Sequence, residues 1–301
     1  MTGQEEDSQP YWNPELWRKP FELRDIALNE PPQTDLLGPL RTGQVGWIAA
    51  PPGVGKSMLA LSIALAIGEG HSLGLWQGSG ERCPVKLLDA ELTNRDLSER
   101  LVSLGGMEER TPLNINTWGI RDQLGIDSFS LGDTEHQLWL MQTVAGAEAI
   151  IIDNVTFTLD PAPGGNMYSP ETINQLKPLL AWTRNTGRLL IFIDHTNAQG
   201  ELAGSMQKAR MADWVMILEK DVLVGDLKLA FTLTWKKYRN NNGPQIGDQE
   251  AWGLKPDGTW DVRKVHSIGE QIKELVIAGA TVKDISQELD VSTRTVRRFM
   301  R

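Results

Sequence analysis

The ten residues Ala49-Ala50-Pro51-Pro52-Gly53-Val54-Gly55-Lys56-Ser57-Met58 lie between two apolar runs, VGWI at 45–48 and LALSIALAI at 59–67. The first run has the length and β-branched content of a buried strand, and the second has helical spacing. A strand, a glycine-bearing turn with Gly-Lys-Ser, and a helix form the context in which backbone N–H groups cradle phosphate oxygens. The spacing from Ala50 through four residues to Gly55-Lys56-Ser57 therefore predicts a nucleotide site lined by Pro52, Gly53, Val54, Gly55, Lys56, Ser57 and Met58. Lys56 would neutralise the phosphates, and the Ser57 hydroxyl would ligate Mg²⁺. The usual first glycine of the motif is Ala50, at a strand end where a positive φ is not required.

Outward from this loop, strands and helices alternate. Runs of strand character fall at 45–50, 85–90, 113–118, 149–154, 189–194, 213–218 and 229–235, with helical patterns at 56–69, 92–105, 134–146 and 170–186. Fully apolar strands separated by helices predict an α/β fold with a mostly parallel sheet covered on both faces. The segment 213–262 lacks intervening helices and is expected to extend the sheet with antiparallel strands, one turn being Asp257-Gly258.

The run AIIID at 149–153 delivers a carboxylate, Asp153, to the end of a buried strand, the edge where such sheets bind ligands. Asp153 is the expected Mg²⁺ ligand alongside Ser57. Asn154 follows it, so the group that polarises the attacking water must come from elsewhere. The strand end Asp89-Ala90-Glu91 supplies it, with Glu91 the choice and Asp89 the competitor. Glu91 also reads as a favourable charge at the start of the next helix.

In this order, the phosphate loop, the Asp89-Ala90-Glu91 strand end, Asp153 and the run LLIFIDHT at 189–196 resemble the RecA-type ATPase core. The compact size resembles the RepA/DnaB-type hexameric helicases, particularly small plasmid- and phage-borne ATPases. The resemblance covers about 36–240 and implies ATP hydrolysis with Mg²⁺, with Glu91 as the catalytic carboxylate. It also implies a γ-phosphate sensor at His195 or the neighbouring Asp194. The segment 197–213 resembles that family's DNA-facing loop, so Lys208 and Arg210 would meet a single strand threading a ring. The loop 160–170, with Gly164-Gly165, is the other pore candidate. Lys237-x-Arg239 matches a pair that in ring-forming members reaches the γ-phosphate of the next subunit. That implies a homo-oligomer, a hexamer being favoured; the plainer reading is a basic strand terminus.

The tail carries uneven charge, with Arg294, Arg297, Arg298 and Arg301 in the last ten residues of a chain whose net charge is −9. Ile285, Leu289, Val291 and Val296 are spaced for two short helices, with Ser292 ready to cap the second. The pattern resembles a helix-turn-helix, except that Ser286 stands at the usual Ala position and Asp290 at the usual turn Gly. Thr293, Arg294, Arg297 and Arg298 would then face duplex DNA. The alternative is a helical hairpin for subunit contact.

The expected organisation is an N-terminal arm at 1–35 that makes subunit contacts, a RecA-like core at 36–262 and a small all-α helix-turn-helix domain at 267–301. Trp12 and Trp17 in the arm are candidate partner contacts, whereas Trp47, Trp214 and Trp235 fall in strands and are expected in the core. One cysteine, Cys83, excludes an internal disulfide. No apolar run is long enough for a bilayer, and the acidic start MTGQEEDSQP is unlike a signal peptide, so a cytoplasmic protein without membrane association is expected. The reading is a ring-forming, ATP-driven helicase of a mobile element. A recombination or annealing ATPase and an ATP-switched DNA-binding regulator are the alternatives.

Overall fold

In the computed structural model the described residues are 33–105, 115–119, 129–204, 206–240, 243–266, 268–289 and 291–300. The chain divides into Met1–Thr34 and a compact unit, Asp35–Arg301, that carries the sheet. The expected arm, with Trp12 and Trp17, lies outside the described residues apart from 33–35, as do Ser205, Asp290 and Arg301.

The strands are β1 (Asp35–Leu37), β2 (Leu40–Arg41), β3 (Val45–Ala50), β4 (Val85–Asp89), β5 (Ile115–Gly119), β6 (Ala149–Asp153), β7 (Leu189–His195), β8 (Trp214–Lys220), β9 (Leu229–Tyr238), β10 (Gln249–Leu254) and β11 (Trp260–Val265). β1 and β2 pair as a small hairpin, and the others form one sheet in the order β11-β10-β9-β8-β3-β7-β6-β4-β5. From β8 to β5 every neighbouring pair is parallel. β9, β10 and β11 add antiparallel strands. The expected extension is therefore present, and β8 is its seam, parallel to β3 and antiparallel to β9.

Every residue of β3 and β6 is buried, as helices on both faces require. The side chains of β3 alternate between two cores. Val45, Trp47 and Ala49 join Phe192, Leu140 and Leu180 on one face. Ile48 and Ala50 join Leu59, Ile63, Trp214 and Trp235 on the other. Trp47, Trp214 and Trp235 are fully buried, so these tryptophans fill the core and do not serve as base-stacking platforms.

The helices follow the predicted patterns, with caps that explain their starts. Thr93 accepts from Asp96 N–H and forms a capping box for Asn94–Ser103. Asp133 caps Thr134–Thr143. The single pattern expected at 170–186 is two helices, Pro170–Asn174 and Lys177–Asn185, because Pro178 fits only the first turn of a helix.

The register sets up the site. Asp89 pairs with Asp153 across β4 and β6, Asp153 with Ile193 across β6 and β7, and His195 with Ala50 across β7 and β3. The C-terminal ends of four adjacent strands thus line up along one sheet edge.

Residues 268–300 carry three short helices, Ile268–Ile277, Val282–Glu288 and Thr293–Phe299. Ile272, Ile285 and Val296 are buried between them, with Leu289 and Val291 partly buried against this cluster. Thr281 and Ser292 cap the second and third helices through Asp284 N–H and Thr295 N–H. The Ser286 hydroxyl donates to Val291 O at 2.6 Å and ties the turn between them.

Candidate nucleotide-binding and hydrolysis site

β3 ends at the fully buried Ala50, and the helix Lys56–Glu69 begins at Gly55 with no side chain capping it and no acidic residue in its first turn. The first N–H groups of that helix are left for an anion, with the positive end of the dipole behind them. Gly53 and Gly55 adopt φ of 75° and 117°, in the region that disfavours side chains. A Cβ on Gly53 would meet nothing within 4 Å, whereas one on Gly55 would sit 2.3 Å from Leu229 Cδ2. Pro52 and Gly53 are exposed, Val54 anchors the loop in the core, and Ser57 and Met58 are half-buried.

The Lys56 ammonium donates to Ala50 O at 3.1 Å and Pro51 O at 3.2 Å, and lies 3.4 Å from His195 Nδ1. Burial pushes its pKa below the usual lysine value, against the opposing pull of Asp153, Glu91 and Asp194. Asp153 is buried, and its carboxylate accepts a hydrogen bond from Ser57. Desolvation, helped by nearby Asp89 and Glu91, pushes Asp153 up to about 7, with Ser57 and Lys56 acting the other way. A hydroxyl and a carboxylate side by side form a hard oxygen pair of the kind that Mg²⁺ takes together with phosphate and water. A buried carboxylate with a raised pKa beside two further acids fits a cation there. Among the described residues no cluster of three or more His, Cys, Asp or Glu could hold a metal on its own.

The structure separates the two acidic candidates at the end of β4. Asp89 is 1% exposed, and its Oδ1 accepts from Glu91 N–H at 2.8 Å and Leu92 N–H at 2.7 Å, a turn that closes the strand end. Glu91 has a side chain 40% exposed, 4.0 Å from His195 Nε2, and accepts a hydrogen bond from the Asn154 amide. His195 is half-buried, and burial together with the Lys56 charge holds its pKa below the usual histidine value, so the ring is neutral near pH 7.

Asp194, the neighbour considered for the sensor position, is saturated from below. It accepts from His195 N–H at 2.8 Å, from the Thr156 hydroxyl at 3.3 Å and from Lys208 Nζ at 2.6 Å. This corrects the expectation for Lys208. Its side chain is 3% exposed and bound to Asp194 and to Ala203 O, so it braces the strand end and faces no solvent. Stripping it away would leave Asp194 buried without a counter-charge. Arg210, by contrast, is exposed.

Lys237 and Arg239 are not gathered with Lys56. The register Tyr238–Trp214–Gly46 puts the end of β9 beside the start of β3, at the sheet end opposite the phosphate loop. There Lys237 Nζ donates to Ala209 O and Ala212 O, and Arg239 pairs with Asp213 and donates to Arg210 O. Thr293, Arg294, Arg297 and Arg298 all lie on the exposed side of the last helix. Two participants were not foreseen: Asn154, noted only as the residue that follows Asp153, and Thr156, whose partner is 38 residues away.

The fold and loop define a RecA-like P-loop ATPase. The sequence profile of the AAA domain matches residues 13–201, more than half of the chain, which therefore belongs to the AAA domain family. Among solved structures, the chain is similar to a KaiC-like protein from the hyperthermophilic archaeon Pyrococcus horikoshii OT3, at 15% identity and TM-score 0.52 over 74% of this chain and 91% of that one. It is also similar to a second solved structure, that of an ATPase domain, at 16% identity and TM-score 0.54 over 73% of this chain and 85% of that domain. Likenesses at such identity show the shared fold. No helix among the described residues is long and apolar enough to cross a membrane.

Proposed function

We propose that the chain is an ATP-driven motor acting on DNA, a ring-forming RepA-like helicase in the replication of a plasmid, phage or other mobile element. The observation that carries the reading is the convergence of Lys56, Asp153, Glu91 and His195 on one sheet edge around an uncapped helix N-terminus. The loop amides and Lys56 bind and orient the phosphates. Ser57 and Asp153 would hold Mg²⁺, which would supply charge neutralisation on the phosphate oxygens. Glu91 orients the attacking water and accepts its proton. His195, neutral and beside both Lys56 and Glu91, acts as the sensor of the terminal phosphate.

Lys237 and Arg239 act in trans, on the nucleotide of a neighbouring subunit in a homo-oligomer, with a hexamer favoured. Their distance from their own Lys56 supports this, because they cannot serve their own site. A single strand would run past Arg210 and the loop around Tyr168, which is 53% exposed and whose ring lies 6.0 Å from Lys208 Nζ. The helix-turn-helix at 267–301 recruits duplex DNA through Thr293, Arg294, Arg297 and Arg298, and the arm at 1–35 makes subunit contacts.

Exchange of Arg294, Arg297 and Arg298 together for alanine is expected to weaken duplex binding and to lower the salt slope by about one for each phosphate that the tail no longer neutralises. ATP turnover without DNA should stay unchanged. Duplex binding and salt slope equal to the parent's would remove the tail from the account. The concentration of arginines in the tail of a chain whose net charge is −9 supports a second reading, a duplex-bound regulator that uses ATP as a switch. Strong duplex binding with no stimulation of turnover by single strands would support it.

A further inference from the structure

We infer that Asn154 is a positioning residue for hydrolysis, holding the Glu91 carboxylate in the orientation that receives the attacking water. The inference rests on the assignment of Glu91 as the water-orienting group and names what makes that group effective.

The arrangement follows from the register. β4 and β6 are neighbours with Asp89 opposite Asp153, and the ladder continues one step through Ala90 N–H to Asp153 O at 2.6 Å. Glu91 and Asn154 therefore leave adjacent strands side by side. Glu91 is the more exposed of the two, with a flexible side chain. Asn154 is 1% exposed. Its Oδ1 accepts from Phe157 N–H at 3.1 Å, a bond that only the amide oxygen can make. That bond settles the orientation of the amide, and Nδ2 is then aimed at Glu91 Oε1, to which it donates. A flip of the amide would set nitrogen against N–H and oxygen against carboxylate, losing both bonds at once. Oε1 of Glu91 is thus clamped, 4.0 Å from His195 Nε2, and Oε2 is left to take the water.

The residue type matters. Asp89, Asp153 and Glu91 already crowd carboxylates at this edge. A carboxylate at position 154 would cap the helix Val155–Thr158 as well as asparagine does but would repel Glu91. A short hydroxyl would cap without reaching it. Asparagine alone caps and donates. The simpler role is capping, which the same side chain also performs.

The exchange Asn154→Asp separates the two, because it keeps the capping oxygen and removes the donor. Steady-state ATP hydrolysis, nucleotide affinity and thermal unfolding are measured for the parent, Asn154→Asp, Glu91→Gln and the double variant. If Asn154 positions Glu91, kcat of Asn154→Asp falls about 100-fold, the scale of a misplaced catalytic group. KM stays close to the parent's, and the change adds no loss in the Glu91→Gln background. Should Asn154→Asp unfold early, Asn154→Ser, which also caps, is read in its place with the same expectation. Turnover of the capped variant within about twofold of the parent, or a full additional loss in the Glu91→Gln background, overturns the inference. Undiminished turnover of Glu91→Gln alone sinks the assignment of Glu91 instead, a separate result.

Discussion

Glu91→Gln is expected to bind nucleotide as the parent does and to hydrolyse it about 10²- to 10⁴-fold more slowly, the range that a positioned general base contributes. The expectation comes from the contrast between the two acids at the end of β4. Asp89 gives its Oδ1 to two backbone N–H groups, and burial raises its pKa, with those two bonds opposing the rise. It is a fastener of the strand end. Glu91 stands two residues further out, near His195 and next to Asn154, and still reaches solvent. Asp89→Ala, which removes the acceptor, should accordingly weaken the fold by loosening that turn before it alters chemistry. Turnover under saturating ATP, together with titration by a fluorescent nucleotide, distinguishes these outcomes. A slow enzyme that has also lost nucleotide binding would mean that Glu91 holds the loop together and does not act on water.

The second large effect is expected at Gly55. Alanine there would have to adopt φ near 117° and would bring Cβ to 2.3 Å from Leu229 Cδ2. Leu229 is able to turn away, but the backbone strain remains, about 1–3 kcal/mol for a residue held in such a region. The alternative to that strain is to move the very N–H groups that face the phosphates. Nucleotide affinity should fall about tenfold or more, since about 1.4 kcal/mol is a factor of ten. Gly53→Ala provides the comparison: its φ of 75° lies in the left-handed region and its Cβ would meet open space. A smaller loss is expected there. Equal losses at both positions, measured by nucleotide titration, would show that the contact with Leu229 and the sharper strain at Gly55 do not govern the loop.

The fold was legible because its decisive signals are local. A strand such as AIIID at 149–153 declares itself by an unbroken apolar run and a terminal acid, and the loop from Ala50 to Ser57 by spacing alone. The cap at Ser292 marks a helix start within three residues of sequence. What escaped depends on pairing across the sheet. Lys208 resembles a loop cation until the turn after β7 folds it back onto Asp194, fourteen residues earlier. Asn154 shows only that no acid follows Asp153, because Glu91, its partner, arrives from the end of β4. The sequence points to Glu91 over Asp89, but no spacing reveals that the backbone consumes the Asp89 carboxylate. The basic pair at Lys237 and Arg239 is plain in sequence, but its place at the far end of the sheet follows from the antiparallel register of β9.

The central claim, a motor that couples this site to DNA, is tested most directly by unwinding of a forked DNA duplex with ATP and Mg²⁺, comparing the parent chain with Lys56→Ala. The account predicts strand release by the parent and none by the variant, with the parent's ATP turnover rising in the presence of single strands. A parent chain that hydrolyses ATP and binds duplex yet releases no strand would contradict the motor and leave an ATP-switched DNA-binding protein.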